Sequence, residues 1–290
     1  MPALLLVAPE PLAGKTTLAA GIARRAAAQG RPTVLERLPG GENEAVDRIL
    51  FARLSADTPD LRILEGPAGA PAAALAAQGD AAILAVLPAT FAPDAAAHFC
   101  RPLAQRLRGV LINRVPRKRL DTVRDGLRSA GLNVVALVPE DRTLAAPTLG
   151  QIAEALHAHP APADGLADTP AERPLIAPIA VDPGQAYFAY TGAATIIVRS
   201  DKPDLQLGAL NAGTNCLIIT GNAPLLPYVR HRADAEGATI LRTPLGTVET
   251  VAAIEGLFAA TPFAGGDAKL RRAEELLGDL DIGLLTGSAA

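Results

Sequence analysis

The chain is 290 residues long, enough for two ordinary domains that each enclose a core. At 49% hydrophobic and 20% charged it reads as globular rather than disordered, and a net charge of −3 gives no general attraction to nucleic acid or an anionic membrane surface. Aromatic residues are 3% and tryptophan is absent, which leaves no platform for stacking bases, while Cys100 and Cys216 stand in no metal or redox spacing and read as small buried hydrophobes.

The first apolar run, ALLLVA (3–8), is short and has no basic segment ahead of it, so it reads as a buried strand and not as a leader. No run approaches the roughly 18 residues of a membrane span, and the expected location is cytoplasmic. Further strands are expected at 33–38, 61–66, 81–88, 109–115 and 133–139, with helices at 16–29, 44–54, 93–107 and 120–130. The strand segments are apolar throughout, and each helix is long enough for a crossover, which is the pattern of parallel strands covered on both faces. Thr148 reads as the N-cap of a helix that runs to His157.

The stretch 157–174 is dense in Pro, Ala and Asp, has no periodicity and reads as a linker. A smaller α/β unit follows, with strands at 194–200, 215–221 and 238–243 and helices at 204–211, 224–236 and 248–258. A charged helix at 267–277 and a tail close the chain. The expected division is therefore a first domain at 1–158, a linker at 159–174, a second domain at 175–262 and a C-terminal segment at 263–290.

Within this frame the stretch VAPEPLAGKTTL (7–18) is a nearly complete phosphate-binding loop. Gly14, Lys15 and Thr16 stand where a strand gives way to a helix. The first glycine of the pattern is missing, because the position is Pro9 in the usual spacing and Ala8 in a form one residue longer. A helix start offers unpaired N–H groups and the positive end of the dipole to an anion. Gly14 permits close approach, Lys15 supplies charge, and the Thr16 hydroxyl can reach Mg²⁺.

Three further residues follow strands and so belong at the same end of a parallel sheet: Glu44, Glu65 (with Gly66 turning the chain) and Asn113. Two carboxylates and a hydroxyl suit Mg²⁺, and an amide offers the donor and acceptor that adenine requires. Glu44 reads equally as a solvated helix start. The RVPRKR run (114–119) reads as a solvated loop or as a contact for phosphate or an acidic partner. In the second domain Asp201, Lys202, Asp204, Thr220 and Gly221 form either a small-ligand pocket or simply a capped helix start.

This constellation resembles dethiobiotin synthetase in the long loop (Ala8, Gly14, Lys15, Thr16), the acidic-Ala pair Glu44-Ala45, the Glu65-Gly66 step and Asn113. More closely it resembles the dethiobiotin synthetase-like N-terminal region of long bacterial phosphotransacetylases. That likeness is carried by VPEDRTLAAPTLGQIAEAL (138–156), SDKPDLQLGAL (200–210) and LIITGN (217–222), and it spans roughly residues 3–258. It implies a P-loop NTPase-like parallel sheet flanked by helices, joined to a smaller α/β domain of the DRTGG kind. It also implies ATP and Mg²⁺ as cofactors, a homodimer, and a nucleotide-responsive regulatory or assembly role beside a separately encoded enzyme. The alternative it implies is an ATP-dependent ligase or phosphotransferase acting on a small carboxylate or amine. The residues carried over are Gly14, Lys15, Thr16, Thr17 and Asn113 for the nucleotide, Thr16, Glu44 and Glu65 for the metal, and Lys15 for catalysis.

The departures are specific. Where the synthetase carries a lysine after strand two, this chain has Glu36-Arg37-Leu38, which puts a reversed charge near a developing anion. The domain's namesake motifs read Ser200-Asp201-Lys202 and Thr220-Gly221-Asn222. The acyltransferase domain of the phosphotransacetylases has no counterpart, so the chain is not expected to be a phosphotransacetylase by itself.

Overall fold

The computed structural model describes residues 1–41, 43–69, 79–161, 165–177, 184–192 and 194–287. The chain forms two compact units, one of Met1–Leu144 with Lys269–Ala290 and one of Ala145–Ala268.

In unit 1 the alternation of apolar runs and helical segments becomes β1 (Ala3–Val7), α1 (Lys15–Ala28), β2 (Thr33–Arg37), α2 (Glu44–Leu54), β3 (Leu61–Glu65), β4 (Ala82–Pro88), α3 (Pro93–Cys100), β5 (Leu107–Val115), α4 (Leu120–Ser129) and β6 (Val134–Pro139). The six strands form one sheet in the order β2-β3-β1-β4-β5-β6, with every pairing parallel. Leu4 to Val7 are fully buried, as a central strand covered on both faces requires. The strand order places β1 between β3 and β4: the chain crosses from β1 to edge strand β2, returns to β3, and then runs outward on the other side through β4, β5 and β6. Such a change of side marks the carboxyl end of β1 as the place where open α/β sheets take their ligands.

One expected element is shorter. The helix expected at 93–107 ends at Cys100, passes through a 3-10 turn at Arg101–Leu103, and gives way to β5 at Leu107. Pro102 has no N–H to donate to the carbonyl one turn back, so the α-helical ladder cannot run on through it.

Unit 2 is built from α5 (Leu149–Ala155), β7 (His159–Ala161), β8 (Pro174–Ile176), α6 (Gly184–Thr191), β9 (Thr195–Arg199), α7 (Pro203–Asn211), β10 (Cys216–Thr220), α8 (Pro227–Glu236), β11 (Thr239–Thr243) and α9 (Thr247–Ala260). Its sheet runs β7-β11-β10-β9-β8, parallel except for β7, which pairs antiparallel with β11. Thr148 is the N-cap expected of it. Its hydroxyl accepts from Gln151 N at 3.2 Å while Gln151 Oε1 accepts from Thr148 N at 2.9 Å.

The unit boundaries differ from the expected ones. The helix capped by Thr148 stands in unit 2 rather than in a domain ending at 158. The stretch expected as a linker at 159–174 supplies edge strand β7 and the start of β8, with 162–164 outside the described residues.

The C-terminal segment returns to unit 1 as α10 (Asp267–Leu276) and α11 (Ile282–Thr286). α10 lies so close to α1 that a Cβ at Gly21 would stand 2.9 Å from Leu277 Cδ1 and 3.0 Å from Ala273 Cβ. Arg24 pairs with Glu274 at 2.9 Å, Arg25 Nε donates to the Leu280 carbonyl at 3.0 Å, and Arg272 pairs with Asp141 at 2.8 Å. Leu277, Leu280, Ile282 and Leu285 are buried.

Candidate functional site

The loop after β1 turns into α1 at Gly14, which has φ +90°, a left-handed conformation that glycine adopts without strain. A Cβ there would also run into Asn113 Nδ2. Asn113, near the end of β5, is buried and donates that nitrogen to the Ala13 carbonyl at 2.9 Å. The first turn of α1 has no side-chain cap and no acidic residue. Its leading N–H groups, those of Lys15, Thr16 and Thr17, therefore stand without a side-chain cap at the positive end of the helix dipole.

Lys15 is only 6% exposed. Burial lowers its pKa from the ordinary lysine value, against the pull of the Glu65 charge. Among the described residues no carboxylate lies within ion-pair distance of its ammonium.

Glu65 ends β3 and is 3% exposed. Thr16 Oγ1 donates to its Oε1 at 3.2 Å, and its Oε2 is buried with no hydrogen-bond partner. Burial pushes its pKa up to about 7, with the Arg37 and Lys15 charges opposing. Asp47, from the first turn of α2, is also buried, and burial raises its pKa, with Arg37 and the Thr16 hydroxyl acting the other way.

Between these acids lies Arg37, which the register pairs with Glu65 across β2 and β3. Its Nη1 donates to the carbonyls of Leu38 and Glu65 at 3.2 Å each, and its Nη2 to that of Gly40 at 3.0 Å. Its Nε stands 3.4 Å from Asp47 Oδ2 and 3.8 Å from Glu65 Oε1 and makes no hydrogen bond.

Of the residues expected here, Gly14, Lys15, Thr16, Thr17 and Asn113 cluster at the loop and Glu65 joins them. Glu44 does not. Its carboxylate accepts from Gly40 N at 2.7 Å and pairs with Arg48 at 2.9 Å, and no contact with Thr16 or Glu65 is present among the described residues. Asp47, one helical turn further, takes the inward place. The expected metal set of Thr16, Glu44 and Glu65 is therefore not assembled. Among the described residues no group of three or more His, Cys, Asp or Glu side chains could hold a metal ion.

The reversed charge expected after strand two is likewise absent from the site. Glu36 points to the other face of the sheet, where it pairs with Arg62 at 2.6 Å, and the alternation of a strand turns Arg37 inward. Sequence reasoning missed Arg37 and Asp47. The buried alternation in TVLER was the available signal for the first.

In unit 2 the expected polar rim is largely occupied with its own structure. Asp201 is exposed and pairs with Arg199 at 2.6 Å, a contact that lowers its pKa. Thr220 is buried, with its hydroxyl 3.1 Å from that of Thr247. Gly221, at φ +90°, donates its N–H to the carbonyls of Thr243 and Leu245 at 3.1 and 2.9 Å. Lys202 and Asp204 flank Pro203 at the start of α7, a helix start without a side-chain cap. The basic run at 114–119 forms the end of β5 and an exposed 3-10 turn at Arg117–Arg119.

Residues 151–257 match the DRTGG domain. That domain lies within unit 2. Three solved structures share a partial likeness with the chain. The MinC:MinD cell division protein complex of Aquifex aeolicus matches at 18% identity and TM-score 0.37, covering 50% of this chain and 83% of that one. The MinD cell division protein of the same organism matches at 15% and 0.37, covering 50% and 84%. The CBS and DRTGG domains of the regulatory region of Clostridium perfringens pyrophosphatase, complexed with the activator diadenosine tetraphosphate, match at 14% and 0.32, covering 58% and 70%. None of these three TM-scores reaches 0.5, and the parallel α/β fold rests on the strand order and register above. No helix among the described residues is long and apolar enough to cross a membrane.

Proposed function

We propose that unit 1 binds a nucleoside triphosphate, ATP, at the loop before α1, and that the chain is a nucleotide-responsive regulatory or assembly module whose DRTGG domain takes part in the response. One observation carries the reading: Lys15, buried beside the uncapped start of α1, has no carboxylate within ion-pair distance among the described residues. An ammonium desolvated without an anion costs several kcal/mol, and a polyphosphate supplies the missing charge to Lys15 and to the N–H groups of Lys15, Thr16 and Thr17. Asn113 supports the site by fixing Ala13 and Gly14 rather than by reading adenine with its amide nitrogen. A homodimer, and an enzyme partner encoded elsewhere, belong to this proposal as the things the nucleotide would control.

Calorimetric titration of ATP into the wild type and Lys15→Ala tests it. The expected result is a micromolar Kd for the wild type and a loss of roughly 30- to 100-fold in the variant, the worth of a charge-assisted phosphate contact. An unchanged Kd in the variant, or no binding by the wild type at millimolar ATP, overturns the reading. Hydrolysis stimulated by a small carboxylate or amine would replace the regulator with a ligase or phosphotransferase.

A further inference from the structure

Phosphate loops of this kind ordinarily share their charge with a divalent cation held by the loop hydroxyl, a strand-end carboxylate and the phosphates themselves. The corresponding carboxylates here, Asp47 and Glu65, already have a cation between them. Arg37 is not a passing neighbour: three backbone carbonyls, of Leu38, Glu65 and Gly40, hold two of its nitrogens. Its third nitrogen faces Asp47 Oδ2 at 3.4 Å and Glu65 Oε1 at 3.8 Å. Guanidinium stays charged throughout the working pH range and is hydrated more weakly than ammonium, which suits it to a buried place.

A divalent ion brought to the same carboxylates would meet this fixed charge, which already faces both of them. Two polar atoms in the cluster are buried and unpartnered, Arg37 Nε and Glu65 Oε2. Native interiors leave few such atoms.

We propose that Arg37 stands in for the divalent cation at this site, so that polyphosphate binds to unit 1 without a metal. The inference rests on the phosphate-binding reading above. The bound species is a free triphosphate rather than its magnesium complex, with Lys15 and the α1 N–H groups on the phosphate oxygens and Arg37 holding Glu65 and Asp47 away from them electrostatically.

The test is calorimetric titration of the full chain with ATP and with inorganic tripolyphosphate, each in excess Mg²⁺ and in EDTA. Wild type, Lys15→Ala, Arg37→Lys and Arg37→Met are compared. For the wild type the Kd in EDTA is expected within about threefold of that in Mg²⁺, less than half the free energy of a tenfold change. Arg37→Met is expected to weaken binding in EDTA by about tenfold or more, with partial recovery in Mg²⁺, and Arg37→Lys to fall between. If Arg37→Met fails to fold, the wild type and Arg37→Lys decide the matter. Wild-type binding that needs Mg²⁺, tenfold or more tighter with it, overturns the inference and leaves the phosphate site standing. Absence of binding in both media, or binding that Lys15→Ala does not change, removes the phosphate site and the inference together.

Discussion

The side-chain amide of Asn113 donates to the Ala13 carbonyl at 2.9 Å, and this bond ties β5 to the loop in front of α1. Both groups lie in the protein interior. Gly14, next in the chain, packs against the same amide with no room for a Cβ. The shape of the loop is thus set from a strand two places away in the sheet.

Asn113→Ala leaves the Ala13 carbonyl without its partner and is expected to cost about 1–3 kcal/mol. Urea denaturation measures the loss, and ATP affinity is expected to fall with it. Gly14→Ala meets both the Asn113 contact and the positive φ. Combining it with Asn113→Ala is therefore expected to recover only part of its cost, because the second mutation removes the contact and leaves the backbone strain.

Lys15→Met replaces a buried ammonium by an apolar chain of similar length. Burial dominates the lowering of the Lys15 pKa, so the ligand-free protein is expected to gain on the order of 1 kcal/mol while losing phosphate binding. A higher melting temperature with no shift on adding ATP is the expected pair of results. A lower one would show that Lys15 serves the fold.

Glu65 gives the fold a pH dependence of known sign. Its pKa in the fold is about 7 against an ordinary value of 4.5. Between those values the folded protein holds a proton that the unfolded chain has lost, so stability falls as pH rises through the window and is level above it. Each unit within the window costs at most about 1.4 kcal/mol. Asp47 shifts in the same direction, so Glu65→Gln is expected to flatten the slope without abolishing it. Chemical denaturation at pH 5 and pH 8 should show the variant gaining on the wild type mainly at pH 8.

Leu277 is buried against the Gly21 side of α1. Leu277→Ala is expected to destabilise unit 1 by about 2–5 kcal/mol through the cavity it leaves. Hydrogen exchange on α1 amides reads this directly, with faster exchange expected there.

Much of unit 1 was legible in the sequence. Parallel strands buried on both faces are written as unbroken apolar runs such as ALLLVA, and a strand followed by GKTT and a helix marks the loop without any knowledge of neighbours. What such reading misses is anything decided by which way a side chain turns at a strand end or along a helix. Glu36 and Arg37 are adjacent in sequence and opposite in space, and the choice between them is made by the pleat. Glu44 and Asp47 are both acids in the first turn of α2, and the inward one is fixed by how that helix packs on β2. The edge strand β7 is three residues from a stretch rich in proline and alanine, and its pairing with β11 is a long-range event that no local pattern announces. The C-terminal helix was legible as a helix, but its destination was not, since the face of α1 that receives it reads simply as alanine and glycine.

That destination orders the making of the protein. Translation delivers α1 early, then adds the whole of Ala145–Ala268 before any residue of the returning segment exists. At typical rates this interval is on the order of ten seconds. Throughout it, the helix that opens at the phosphate loop lacks the Ala273 and Leu277 cover over Gly21. A nascent chain halted in that interval carries an uncovered apolar stripe on α1, and only the emergence of the segment after Ala268 removes it.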